Sequence, residues 1–193
     1  MTTRRNFARA ALVLGAAAPL AGSPYAAAAA TLDIDDLARA VERGDDHIDA
    51  IELAQWIKDR RPGLRVIDLR SKAAFDEGQI PSAERLAVTS LASAAFTPEE
   101  TIVLYSEGGA HAGQAWVFLR ARGLRQVYFL RSGAEEWAAQ VLGPMLPVDA
   151  TAAERAAFER AVPLSQYFGG QPRRGVSRAE YATARMSLKR RGC

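Results

Sequence analysis

The sequence predicts an α/β protein: an open parallel sheet with helices on both faces, followed by a C-terminal helical extension. Three observations carry this. Short apolar runs, "LRVIDL" at 64–69, "TIVLY" at 101–105 and "RQVYFL" at 125–130, recur along the chain; segments of helical periodicity separate them; and the alternation stops after Gly143-Pro144. Strands joined by helix-length crossovers pair in parallel, and the crossover helices cover the sheet. The 193 residues, 49% hydrophobic and 24% charged, suit one such domain with a modest extension.

The elements follow in order. Asp33 to Glu42 reads as a helical lead-in. The short "HID" at His47 is a candidate edge strand, and Asp49 stands as N-cap before a helix reaching Arg60, with Ile51, Leu53, Trp56 and Ile57 on one face. The strand "LRVIDL" ends in the polar pair Asp68 and Arg70; a helix from Lys72 to Glu77 stops at Gly78, and "QIPSAERLAV" returns as a turn and short strand. "TIVLY" leads into the loop "SEGGAHAG" and a helix from about Ala112 to Arg122. "RQVYFL" is the fourth strand, and Ser132-Gly133 opens the helix "AEEWAAQVLG". Beyond it, Ala150 to Ala161 reads as a helix, "PLSQYFGGQPRRGV" as a loop, and Arg178 to Arg190 as a last helix.

Residues 1–30 carry three arginines, no acid, a short apolar stretch and an alanine-rich end, the composition of an export signal. Thr3-Arg4-Arg5-Asn6-Phe7 with Arg9 resembles the twin-arginine type, which places the mature protein in the periplasm. Leu12 to Ala21 is too short and too rich in alanine and glycine for a stable membrane span. The same arginines account for the formal charge of +3, leaving 22 basic and 22 acidic residues, so no nucleic-acid partner is implied. The balance is uneven: Thr31 to Ala150 has 13 basic residues against 19 acidic, and Thr151 to Cys193 has 9 against 3. The basic tail is either solvated or docked on an acidic face of its own domain. Cys193 is the one cysteine, so an internal disulfide is excluded, and with two histidines in the chain no metal or haem cofactor is expected.

A strand-to-helix loop such as Ser106-Glu107-Gly108-Gly109-Ala110-His111-Ala112 turns successive backbone N–H groups inward at the carboxyl end of a parallel strand, where an anion is favoured. Two glycines in such a loop are common and by spacing alone decide little.

The wider sequence is more specific. "VIDLRSKAAFDEGQIPSAERLAV" and "IVLYSEGGAHAGQAWVFLRARGLRQVYFLRSGAEEW" together resemble a single rhodanese-like domain over about residues 46–143, between a lead-in at 31–45 and a tail at 144–193. Asp68-Leu69-Arg70, Phe75 and Gly78 to Ala83 stand at the family's first motif, and Gly133 and Trp137 at its closing one. The family's loop holds a cysteine, then Gly, Arg and Ser; here Ser106, Gly109, His111 and Ala112 take those places. The resemblance implies a sulfurtransferase fold whose loop cysteine carries a persulfide. Serine offers neither an accessible thiolate nor a sulfur atom that can hold another.

Three readings follow. In the first, the domain is inactive as a loop-cysteine sulfurtransferase and binds a small sulfur-containing or oxyanion ligand, a thiol or a periplasmic protein through the loop. In the second, the tail thiol Cys193, preceded by Lys189, Arg190 and Arg191, serves a thiosulfate-type sulfurtransferase; against it, a terminal cysteine is more often disulfide-linked between chains or inert. In the third, Ser106 is a hydrolase nucleophile with His111 as base. Asp68 and Arg70 are expected to brace the loop, and Trp56, Trp116 and Trp137 to pack in the core.

Overall fold

The structure, a computed structural model, describes residues 33–191, with side chains described through residue 186. The export-signal expectation for residues 1–30 and the thiol of Cys193 lie outside the described residues.

Ordered by the chain, the elements are α1 (Ile34–Arg43), β1 (His47–Ile48), α2 (Ala50–Lys58), β2 (Leu64–Asp68), α3 (Lys72–Glu77), β3 (Ala83–Arg85), a 3-10 turn (Val88–Ala92), β4 (Thr101–Tyr105), α4 (Ala110–Ala121) and β5 (Val127–Leu130). There follow α5 (Gly133–Trp137), which runs into a π-helical turn (Ala138–Leu142), then β6 (Met145–Pro147), α6 (Ala152–Tyr167), β7 (Arg173–Val176) and α7 (Arg178–Arg191). Five strands form one sheet in the order β1-β5-β4-β2-β3, every neighbouring pair parallel. The chain therefore is the α/β parallel-sheet protein its sequence predicts, with His47–Ile48 as an edge strand against Phe129–Leu130.

Helices lie on both faces because the central strands are apolar on both. Successive residues of a strand point to opposite faces. Val66, Val103 and Tyr105 pack on one side with Leu53, Trp137 and Leu164, while Ile67, Ile102 and Leu104 pack on the other with Trp116 and Leu119. Trp116 and Trp137 are core residues, as expected; Trp56 is half-buried, with the Arg61 guanidinium stacked 4.0 Å from its ring. Asp49 caps α2 by accepting the Glu52 N–H at 2.8 Å, and Ser71 caps α3 through Ala74 N–H at 3.2 Å.

Two expectations need correction. The helix read as ending at Ala161 continues through Pro163 to Tyr167. A proline removes one helical hydrogen bond, but the turn that contains it buries Leu164 and Ser165 fully, and Phe168 stacks edge-on against Trp137 at 5.2 Å. The rest of the expected loop is also ordered: Arg173–Val176 forms β7, paired in parallel with β6. Neither strand shows alternating apolar residues, so periodicity gives no sign of them.

The tail docks, although not by its net charge. Its contact with the domain is apolar, Leu164 and Phe168 against the core around Trp137, whereas its arginines mostly join tail elements to one another. Arg174 meets Glu159 at 2.7 Å, Arg173 meets Glu180 at 2.6 Å, and Arg178 bridges Asp149 at 3.0 Å and Glu154 at 2.6 Å. Arg178 holds the Glu154 carboxyl down at about 2, with the Thr151 N–H of the capping box assisting.

Candidate functional site

The loop after β4 is shorter than its sequence suggests. Helix α4 begins at Ala110, so His111 and Ala112 already lie in its first turn, and Ser106 to Gly109 alone make the bend. Ser106 is only 4% exposed, and its Oγ accepts the Gly109 N–H at 3.1 Å, closing a small ring that starts the helix. Gly109 adopts φ 94, a backbone state that side chains resist, and a Cβ there would stand 3.0 Å from Ser132 N.

Helix α5 fastens the outer half of the loop. Ala134 N–H donates to Ser106 O at 2.9 Å and Glu135 N–H donates to Glu107 O at 3.2 Å. This approach requires Gly133: with φ 57, it leaves a Cβ no room, since Glu107 O would lie 2.6 Å away, Gly109 N 2.9 Å, and Ser106 O closer still. The bend is thus held from both sides, by its own serine and by the next helix.

Asp68 and Arg70 stand behind the loop as a buried pair. Asp68 is 0% exposed; its carboxylate accepts Arg70 Nε at 3.0 Å, Arg70 NH2 at 2.7 Å and the Arg70 backbone N–H at 2.8 Å. The same guanidinium donates to Gly78 O at 2.6 Å, tying the end of α3 to β2, and its third nitrogen lies 3.9 Å from the Glu107 carboxylate. Burial opposes the charge on Arg70, yet the hydrogen bonds and charge of Asp68 outweigh it and hold the guanidinium pKa above its ordinary value. The pair braces the loop through Glu107.

Tyr105, the last residue of β4, completes this network. Its hydroxyl accepts the Ile80 N–H at 3.2 Å, and the Arg70 guanidinium lies 5.4 Å from its ring centre. Burial, reinforced by Asp68, pushes its pKa well up, so the phenol stays neutral. Sequence reasoning passed over Tyr105 as one more apolar strand residue; the available signal was a hydroxyl at the strand's carboxyl end, beside the loop.

In front of the network lies a cavity of about 440 Å³, within the range of small-molecule sites. Arg70 and Glu107 stand at it with Glu135, against walls that include Ile80, Trp137 and Leu142. Glu135 is buried, which a short amphipathic helix pattern does not foretell. Its carboxylate and that of Glu107 offset Arg70, so the site is more acidic than a bare cradle for anions. Ser106 and His111 do not line this cavity. His111 is exposed and makes no hydrogen bond to Ser106, whose Oγ is turned to Gly109 instead; the Ser106–His111 hydrolase pair is not assembled. Among the described residues no group of three or more His, Cys, Asp or Glu is placed to hold a metal ion, and no helix is long and apolar enough to cross a membrane.

An all-parallel sheet with the Asp68–Arg70 pair behind a glycine loop at the carboxyl end of its central strand defines a ligand-binding α/β domain. Residues 49–140 match the family of rhodanese-like domains and are one. Solved structures similar to the chain include a rhodanese-like domain from Anabaena sp., 26% identical, covering 47% of this chain and 71% of that one with a TM-score of 0.44. A rhodanese-like domain protein from Staphylococcus aureus is 20% identical and covers 48% of this chain and 90% of its own, with a TM-score of 0.44. A protein of unknown function from Rhodopseudomonas palustris, described as a possible tyrosine phosphatase, is 18% identical, covers 60% and 94% respectively, and gives a TM-score of 0.45. No curated protein matches the chain significantly.

Proposed function

We propose that this chain is an exported rhodanese-like module that has given up the loop persulfide step and binds a small ligand, or a segment of a periplasmic partner, in the cavity beside Ser106 to His111. The observation that carries the reading is the state of Ser106. Its oxygen is buried, fixed by the Gly109 N–H at 3.1 Å, and has no imidazole to take its proton. In a sulfurtransferase, a thiolate attacks the sulfane sulfur of thiosulfate, the sulfur–sulfur bond breaks, and sulfite leaves with the electron pair. A serine hydroxyl cannot follow that path near neutral pH, since oxygen here is neither ionised nor able to carry the sulfur. The loop side chain that holds an anionic donor in the family is replaced as well, by His111.

The test is a thiosulfate-to-cyanide assay with intact mass analysis on the parent, Cys193→Ser, Ser106→Cys and Ser106→Cys/His111→Arg proteins. The parent and Cys193→Ser give no turnover, and the Ser106→Cys proteins gain one sulfur atom on the new thiol. Turnover by the parent overturns the reading, in favour of the tail thiol if Cys193→Ser abolishes it and of another nucleophile if it does not.

A further inference from the structure

The C-terminal extension builds a second cavity, separate from the loop. It measures about 430 Å³ and lies where α6 and α7 face the outer side of α5 and the start of α2. Helix α5 divides the two sites: Glu135 lines the cavity by the loop, while its neighbour Glu136 lines this one.

The sequence of the two tail helices creates the space. On α6, Ala153, Ala157 and Ala161 recur at four-residue intervals and so share one face, and on α7 Tyr181, Ala184 and Arg185 share another. Alanines opposite a second helix leave volume that longer side chains would fill. Ile51, Met145 and Phe158 supply the apolar wall.

The charged residues at its edge differ in what they already bind. Asp49 accepts the Glu52 N–H at 2.8 Å, Glu136 accepts the Gln140 amide, and Glu154 is held by Arg178 at 2.6 Å and by Thr151 N–H at 2.7 Å. Arg160, by contrast, makes no hydrogen bond or ion pair with another described residue, and the one hydrogen bond of Arg185 is to the Tyr181 hydroxyl at 3.3 Å. A cationic ligand would compete with existing donors for each carboxylate. An anionic one would add charge-assisted bonds to two guanidinium groups that have donors to spare.

We infer that this cavity binds a small amphipathic carboxylate, its apolar body against Ile51, Met145 and Phe158 and its carboxylate held by Arg160 and Arg185. The site is independent of Ser106 and belongs to the extension rather than to the rhodanese-like fold.

Titration calorimetry of the full chain with decanoate, decan-1-ol and decylamine tests this. Decanoate binds more tightly than the other two, and Arg160→Ala and Arg185→Ala each weaken it about tenfold while leaving decanol unchanged, as expected for the loss of a charged hydrogen bond. Ala157→Trp fills the space and removes decanoate binding, with circular dichroism and the urea midpoint reporting that the fold persists. The inference fails if decanoate gives no binding heat, if decylamine binds as well or better, or if decanoate affinity is indifferent to the two arginine variants, which stand on exposed positions and leave folding intact. Sulfur transfer by Ser106→Cys is unaffected in either case, so failure here and failure of the loop reading are read separately.

Discussion

Replacing Gly133 by alanine isolates the contact that shapes the loop. The added methyl would meet Glu107 O at 2.6 Å and Gly109 N at 2.9 Å, so the loop and α5 must separate. Separation forfeits two backbone hydrogen bonds, Ala134 N–H to Ser106 O and Glu135 N–H to Glu107 O, at about 1 kcal/mol each. Holding alanine at φ 57 costs a further 1–2 kcal/mol, roughly. The sum, about 3–4 kcal/mol, is a large part of the stability of an ordinary domain. Two other glycines serve as references. Gly123 has φ 88 but nothing within 4 Å of a Cβ, so Gly123→Ala carries only the backbone term, about 1 kcal/mol. Gly78 has extended backbone and an equally empty surrounding, so Gly78→Ala is neutral within about 0.5 kcal/mol. Urea denaturation followed by tryptophan fluorescence reads all three; with a slope of about 2 kcal/mol per molar, the midpoint falls by nearly 2 M for Gly133→Ala and about 0.5 M for Gly123→Ala. Equal losses for these two variants would refute the close approach between α5 and the loop.

Further outcomes follow from the same geometry. Ser106→Ala leaves the buried Gly109 N–H without its acceptor and lowers stability by about 1 kcal/mol in the same denaturation assay. Arg70→Met strands a fully buried Asp68 carboxylate and costs about 3–5 kcal/mol, part of which Asp68→Asn/Arg70→Met recovers. Glu154 titrates in the folded protein at about 2, below its ordinary 4.5, so its stabilising effect is complete above 4.5 and disappears as the pH falls toward 2. Glu154→Gln therefore shows a smaller drop in urea midpoint between pH 5 and pH 3 than the parent does.

The sheet was legible because its chemistry is repetitive. "LRVID" and "TIVLY" are apolar on both faces, which only a strand covered on both sides tolerates, and the capping groups Asp49 and Ser71 announced their helices. The loop residues and the Asp68–Arg70 pair were found through the resemblance, since their spacing alone is unremarkable. What escaped the sequence depends on long-range contact. Pro163 reads as a helix stop until Leu164 and Ser165 are seen to be buried. Tyr105 reads as strand filling until its hydroxyl meets Ile80, and Glu135 reads as solvated until α5 turns it into a cavity. Charge counting foresaw a basic tail but not its attachment, which depends on the apolar pair Leu164 and Phe168.

The stitching of α5 onto the carbonyls of Ser106 and Glu107 means that the bend owes much of its form to main-chain groups supplied from elsewhere in the chain. Position 106 is then comparatively free: one atom there can be exchanged, oxygen for sulfur, while the surrounding scaffold keeps its outline. A fold organised in this manner separates reactivity from architecture, so chemistry can be lost or regained by a single codon without rebuilding the place where it happens.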